Sequence, residues 1–221
     1  MTVFTFISSN GYSQAVLGIS AGAGAGNLSQ RFTQSGNAVT FSYFAPGAYI
    51  SGELSWKRVY FDMSLALLFA SNNAMLGNET VDLSDYSTKL ALDFNAFGIG
   101  YLYPLNDKFE AGGALGFHVA APTFTPEDLN DMSKLRFGGY YGLIGFNVVP
   151  RIRYAISNSV KLTLNIPIGM DFGPMSEDIV VGNVHVGKSP AIVQPESLKP
   201  EFKGVTYGIY VSVGYFFKLN R

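Results

Sequence analysis

The 221-residue chain contains no cysteine, which excludes disulfides, thiolate catalysis and cysteine-ligated zinc. Charge is scarce as well: Asp, Glu, Lys and Arg together make up 14 % of the residues, against roughly a quarter in an average soluble domain. The net charge of −1 leaves neither a basic footprint for nucleic acid nor an acidic tail. No run of about 18 uninterrupted apolar residues occurs, so no transmembrane helix is indicated. In their place are apolar side chains at 48 % and aromatics at 14 %. Such a chain has too little charge to cover a water-soluble exterior.

The final residues, VTYGIYVSVGYFFKLNR, show how this material is arranged. Val205, Tyr207, Ile209, Val211, Val213, Tyr215, Phe217 and Leu219 alternate with Thr206, Gly208, Tyr210, Ser212, Gly214, Phe216 and Lys218. A period of two is a strand with two unlike faces. The same period recurs over residues 17–25, 39–56, 59–70, 89–103, 109–121, 140–156 and 160–172. Slips in the alternation around Ala45-Pro46-Gly47 and Ala96-Phe97 predict β-bulges. Pro167 removes a ladder donor in mid-strand without disturbing the alternation.

Connections are short at residues 57–58, 104–108 and 157–159 and long elsewhere, the longest being 173–204. Eight strands with short turns at one end and long loops at the other make an all-β, eight-stranded antiparallel up-and-down barrel over residues 16–221. Its bulky face must point outward, because eight such faces would overfill a cylinder whose interior holds little more than side chains. Aromatics gather at both ends of the apolar band. Trp56, Phe61, Phe109, Tyr154, Tyr215 and Phe217 lie toward the short turns, and Phe69, Phe117, Phe172 and Tyr207 toward the loops, as membrane interfaces favour. The outer neighbour is therefore expected to be lipid. Residues 1–15, with VFTFI, SSNGY and Ser13-Gln14-Ala15, read as the tail of a secretory signal that starts upstream. The alternative is an extra N-terminal strand followed by an Asn10-Gly11 turn.

The tail, Ser212-Val213-Gly214-Tyr215-Phe216-Phe217-Lys218-Leu219, resembles the C-terminal assembly signal of Gram-negative outer-membrane proteins, with Ser212, Gly214, Phe217 and Leu219 at the matching positions. GIGYLYPLNDKFEAGGALGF, residues 98–117, is similar to the central hairpin of eight-stranded barrels of the OmpA/OmpX type. The resemblance implies residence in the outer membrane of a diderm bacterium and recognition by the barrel-assembly machinery. It also implies contact with outer-membrane lipid, lipopolysaccharide included.

The inward charges carry what chemistry there is. Glu53, Asp62, Glu110, Arg151, Arg153 and Lys161 all fall within a few residues of the short turns. Buried charge is costly unless paired, so three acids and three bases in one or two layers read as a salt-bridge plug. The alternative is a gated ion path in which the pairs exchange partners. Nearer the loops, Asp93, His118 and Asp171 line an upper lumen expected to hold water. Catalysis is not expected. Ser64 and Glu110 read as inward residues on neighbouring strands, but Glu110 is eight residues from His118 on one strand, roughly 26 Å away at 3.3 Å per residue. His185, Asp178 and Ser176 form no motif. GAGAG at residues 22–26 is barrel lining rather than a nucleotide loop. No cofactor or metal is implied. Residues 179–181 and 184–186 around Gly182-Asn183 suggest a small hairpin in the longest loop, where an extracellular ligand could bind. The expected role is that of a monomeric structural or surface-interaction barrel. A narrow channel for small or hydrophobic molecules, similar to the OmpW type, is the first rival, and a lipid-modifying enzyme the second.

Overall fold

The structure, a computed structural model, describes residues 14–34, 37–69, 73–76, 79–82, 84, 86–126, 139–140, 143–174, 184–186, 191–193 and 198–219. The expected signal tail lies almost wholly outside these residues. In chain order the elements are β1 (Ala15–Gln34), β2 (Asn37–Trp56), β3 (Val59–Phe69), β4 (Asn73–Leu76), β5 (Glu79–Asp82), β6 (Tyr86–Pro104) and β7 (Phe109–Pro126). They continue with β8 (Gly139–Tyr140), β9 (Leu143–Ala155), β10 (Val160–Asn165), β11 (Ile168–Pro174), β12 (Val184–Val186), β13 (Ala191–Val193) and β14 (Leu198–Lys218).

Eight antiparallel staves close on themselves in the order β1, β2, β3, β6, β7, β9, β10 with β11, and β14, which returns to β1. Closure pairs the backbone of every stave on both sides, the condition for crossing hydrocarbon with strands. Ile19, Leu115, Phe146, Met170, Ile209 and Val213 are each at least half exposed on the outside. The polar and glycine set faces in. The exterior has the features of an outer-membrane β-barrel: an apolar band, aromatics at both rims, and short turns at one end.

Local chemistry sets the short turns. Lys57 adopts φ 58° in the two-residue turn between β2 and β3, the left-handed geometry that matches hairpin twist. Asn106 Oδ1 accepts the backbone N–H groups of Lys108 and Phe109, both at 2.9 Å. Ser157 Oγ accepts that of Val160 at 3.0 Å. Both are side-chain turn closures that replace a backbone acceptor.

Several sequence expectations need correction. β1 and β2 stay paired from Ala15↔Trp56 to Gln34↔Asn37, so the long first loop is mostly strand. At 20 residues each, against the about 9–11 that cross a bilayer, they rise well above the membrane, where polar outward residues are tolerated. The slip at Ala45-Pro46-Gly47 does not exist, because the β1–β2 register runs through it unbroken. The slip at Ala96 is real and shifts β6 against both neighbours. The loop strand β12 pairs with β13; residues 179–181, the other half of the expected hairpin, lie outside the described residues.

Pro167 splits the seventh stave into β10 and β11 while leaving its alternation intact. Gly208 N–H still donates to the Pro167 carbonyl at 3.0 Å, and Ile166 N–H to that of Pro150 at 3.0 Å. Each pair keeps one bond, and the proline nitrogen lacks the proton for the other. That is the physical content of the break.

Candidate functional site

The interior is filled by large side chains resting on glycines of adjoining strands. A Cβ on Gly100 would fall inside the Tyr60 ring, one on Gly18 inside Phe216, and one on Gly169 inside His118. Gly24, Gly26 and Gly208 clear space for Tyr210, which stacks on Tyr49 with centroids 5.0 Å apart and planes at 20°. Gly24 and Gly26 of the GAGAG run are therefore space for a ring, in a barrel whose interior is just wide enough to be filled by side chains.

Within this frame β2 and β3 set Glu53 opposite Asp62. From the far wall, β9 sends Arg151 across the lumen. Its Nη1 donates to Glu53 Oε2 at 2.9 Å, its Nη2 to Asp62 Oδ2 at 2.5 Å and its Nε to Asn165 Oδ1 at 2.6 Å. One planar fork thus binds two carboxylates and an amide, which a lysine could not do. Arg153 meets the same Glu53 oxygen, and its Nη1 lies 3.7 Å from Glu110 Oε2. Lys161 Nζ is 3.4 Å from that Glu110 oxygen. Glu53, Asp62, Arg151 and Arg153 are each at most 6 % exposed, while Glu110 and Lys161 open toward the short-turn mouth. Aromatic faces back the cations: Arg151 lies 4.5 Å from the Tyr60 centroid and Arg153 4.8 Å from that of Phe216. The structure brings all six predicted charges into one connected layer.

A second polar group sits nearer the loops. His118 is fully buried, with Nδ1 3.1 Å from Asp93 Oδ1 and Nε2 3.2 Å from Asp171 Oδ1. The first contact is an aligned hydrogen bond; the second has ion-pair distance without that alignment. Asn95, two residues along β6 from Asp93, donates to Asp62 Oδ1 at 3.3 Å and so links the two levels. Gln30 and Thr206 are also buried there, with polar atoms that meet no partner among the described residues.

Ser64 and Glu110, read as lying on neighbouring strands, are separated by β6. His185 lies on β12, while Ser176 and Asp178 fall outside the described residues. In β14, Ser212 and Gly214 face in and Phe217 faces out, as does Leu219 just beyond its end. Gly214 leaves room for Phe216, and Phe217 pairs with Leu17 at the closing seam. Sequence reasoning missed the interior rings Tyr49, Tyr60, Tyr210 and Phe216 and the amides Gln30, Asn95, Asn147 and Asn165. The signal available for them was their inward parity.

No protein-family model and no curated protein matches the sequence. Solved structures do. The outer membrane protein OprG from Pseudomonas aeruginosa is similar over 95 % of this chain and 99 % of its own, at 13 % identity and a TM-score of 0.54. Neisserial surface protein A is similar over 92 % of this chain and 96 % of its own, at 12 % identity and a TM-score of 0.46. The attachment invasion locus protein Ail of Yersinia pestis, solved with a heparin analogue, matches over 92 % and 99 %, at 11 % identity and 0.45. At these identities the likeness to OprG speaks for the barrel fold alone.

Proposed function

We propose that this chain is a closed outer-membrane barrel with a structural or surface-interaction role, its lumen stoppered by the charged layer and its long loops turned to the exterior. The observation that carries the reading is Arg151, which spans the lumen to hold Glu53 and Asp62 at once. An ion crossing this layer would have to break buried pairs whose separation leaves uncompensated charge. The reading includes no catalytic role, since both ring nitrogens of His118 lie within ion-pair distance of carboxylates rather than of a hydroxyl they could activate. On this reading the partners are lipid on the outside, the barrel-assembly machinery at β14, and a ligand of the loops. The barrel acts as a monomer.

A narrow channel is the second reading, favoured by the weakened seam at Ile166 and Pro167. Single-channel recording of the refolded protein in planar bilayers separates the two. The plugged barrel stays silent until Arg151→Ala loosens the layer. Steady conductance by the wild-type protein, unaltered in Arg151→Ala, would sink the plug and leave the channel.

A further inference from the structure

The exterior carries a feature that an apolar band alone does not require. Register aligns four outward residues in one row across four staves: Val59, Tyr101, Gly113 and Pro150. In the row toward the loops Leu115 stands beside Gly113 on the same strand, between Ile99 and Val148. In the row toward the turns Ala111 lies between Tyr103 and Ile152. Two successive outward positions of β7 are thus nearly without side chain. The result is a trough along β7, with Tyr101 and Tyr103 as one wall, Pro150 and Ile152 as the other, and Leu115 closing its upper end. Its part nearer the loops, around Gly113 between Val59, Ile99 and Tyr101 on one side and Val148 and Pro150 on the other, is an open depression of about 500 Å³, and the register continues it over Ala111 toward the turns.

At the turn end of the tyrosine wall stands Arg58. Its Nη1 donates to the Tyr101 hydroxyl at 3.3 Å, and its guanidinium lies 5.5 Å from the centre of the Tyr103 ring. The Tyr101 hydrogen bond pushes the guanidinium above its ordinary pKa. Arg58 meets no carboxylate among the described residues, and its neighbour Lys57 lies over Trp56. Two exposed cations therefore sit at the aromatic rim, the depth at which lipid headgroups lie, directly beside an apolar trough that faces hydrocarbon.

We propose that the β7 trough and Arg58 form a binding site for an anionic glycerophospholipid of the leaflet on the short-turn side. One acyl chain lies over Ala111 and Gly113 between the two walls, and the phosphate is held by the Arg58 fork. The occupant follows from its surroundings. A trough embedded in a bilayer is filled by whatever solvates it, which is an alkyl chain. An arginine braced on two phenols at headgroup level matches a phosphate in charge and geometry. The site depends on the lipid-facing exterior and not on the lumen, so it stands whether or not the barrel is plugged.

Native mass spectrometry of the refolded full chain, offered equal amounts of dipalmitoyl phosphatidylglycerol and phosphatidylcholine, tests it. The wild-type barrel should retain the anionic lipid preferentially. Arg58→Gln, in an exposed turn, should reduce that preference by roughly tenfold, the order expected for one charge-assisted contact. Ala111→Leu should lower retention of both lipids, with the fold verified by its circular dichroism. Equal retention of the two lipids by the wild type, or an unchanged preference in Arg58→Gln, overturns the site. Displacement of the anionic lipid by millimolar inorganic phosphate in Ala111→Leu but not in the wild type supports it, because the chain then contributes. Equal displacement from both reduces the site to an anion contact and overturns it.

Discussion

Glu53 and Asp62 are register partners on β2 and β3, so two buried carboxylates stand side by side inside a narrow barrel. Their mutual repulsion calls for a counter-charge, and Arg151 supplies it to both from the opposite wall. Arg151→Ala should therefore destabilise the barrel by about 3–5 kcal/mol, the usual cost of stripping one partner from a buried group of charges. Adding Asp62→Asn should recover part of the loss, since it removes the repulsion left behind. Denaturant titration in detergent micelles measures both. A double variant no more stable than Arg151→Ala would show that the carboxylates are solvated rather than paired.

The lipid face predicts a different asymmetry. Leu164 and Val211 are outward register partners, and Thr163 and Ser212 are the adjacent inward pair. Val211→Arg should destabilise the barrel by about 2–4 kcal/mol near the bilayer midplane. Thr163→Arg should disturb the interior without changing partition into membranes. Refolding yields in vesicles distinguish the two. A wild-type protein that stays monodisperse in water without detergent would contradict the membrane assignment.

Most of the barrel was legible because its outward set is uniform. Ile209, Val211, Val213 and Tyr215 fix the outer face of β14 without reference to any other strand. The inward set gave parity and no partners. Glu53, Asp62 and Arg151 could be placed at one level, but which side chains meet depends on ring closure and on the stagger of eight strands. Parity alone put Tyr60 and Tyr210 on the inner face, but that each ring rests on glycines of another strand, Tyr60 on Gly100 and Tyr210 on Gly24 and Gly26, depends on the register of the closed sheet. The trough over Gly113 was invisible for the same reason, since its walls come from two other strands. Pro167 could be seen as a missing donor, whereas the second missing donor, at Pro150, is a neighbour only in the folded sheet.

Ring-over-glycine packing yields a third test. A Cβ on Gly100 would overlap the Tyr60 ring, and Tyr60 in turn backs Arg151. Gly100→Ala should destabilise the barrel by about 1–3 kcal/mol, the range for overpacking. Combining it with Tyr60→Leu should cost less than the sum of the two single changes, because the smaller side chain vacates the overlap. Additive losses would mean that the ring and the glycine are not in contact.

The Asp93, His118 and Asp171 group ties β6, β7 and β11 together, and β11 is the segment between the Pro167 break and the longest loop. With its ladder weakened at the break, β11 depends more than the other staves on this side-chain tie. His118→Leu removes the ring that bridges two buried carboxylates and should cost about 3–5 kcal/mol, as does stripping one partner from a buried polar group. The triple change His118→Leu with Asp93→Asn and Asp171→Asn should be less damaging, since replacing a whole buried ionic group costs less than removing one member. Local behaviour separates this tie from a general loss of packing. Amide hydrogen exchange should rise in Ile168–Pro174 before it rises in β9, because opening needs fewer bonds broken where the ladder is already incomplete. Uniform acceleration across all staves in His118→Leu would count against a local tie and make the histidine an ordinary part of the core.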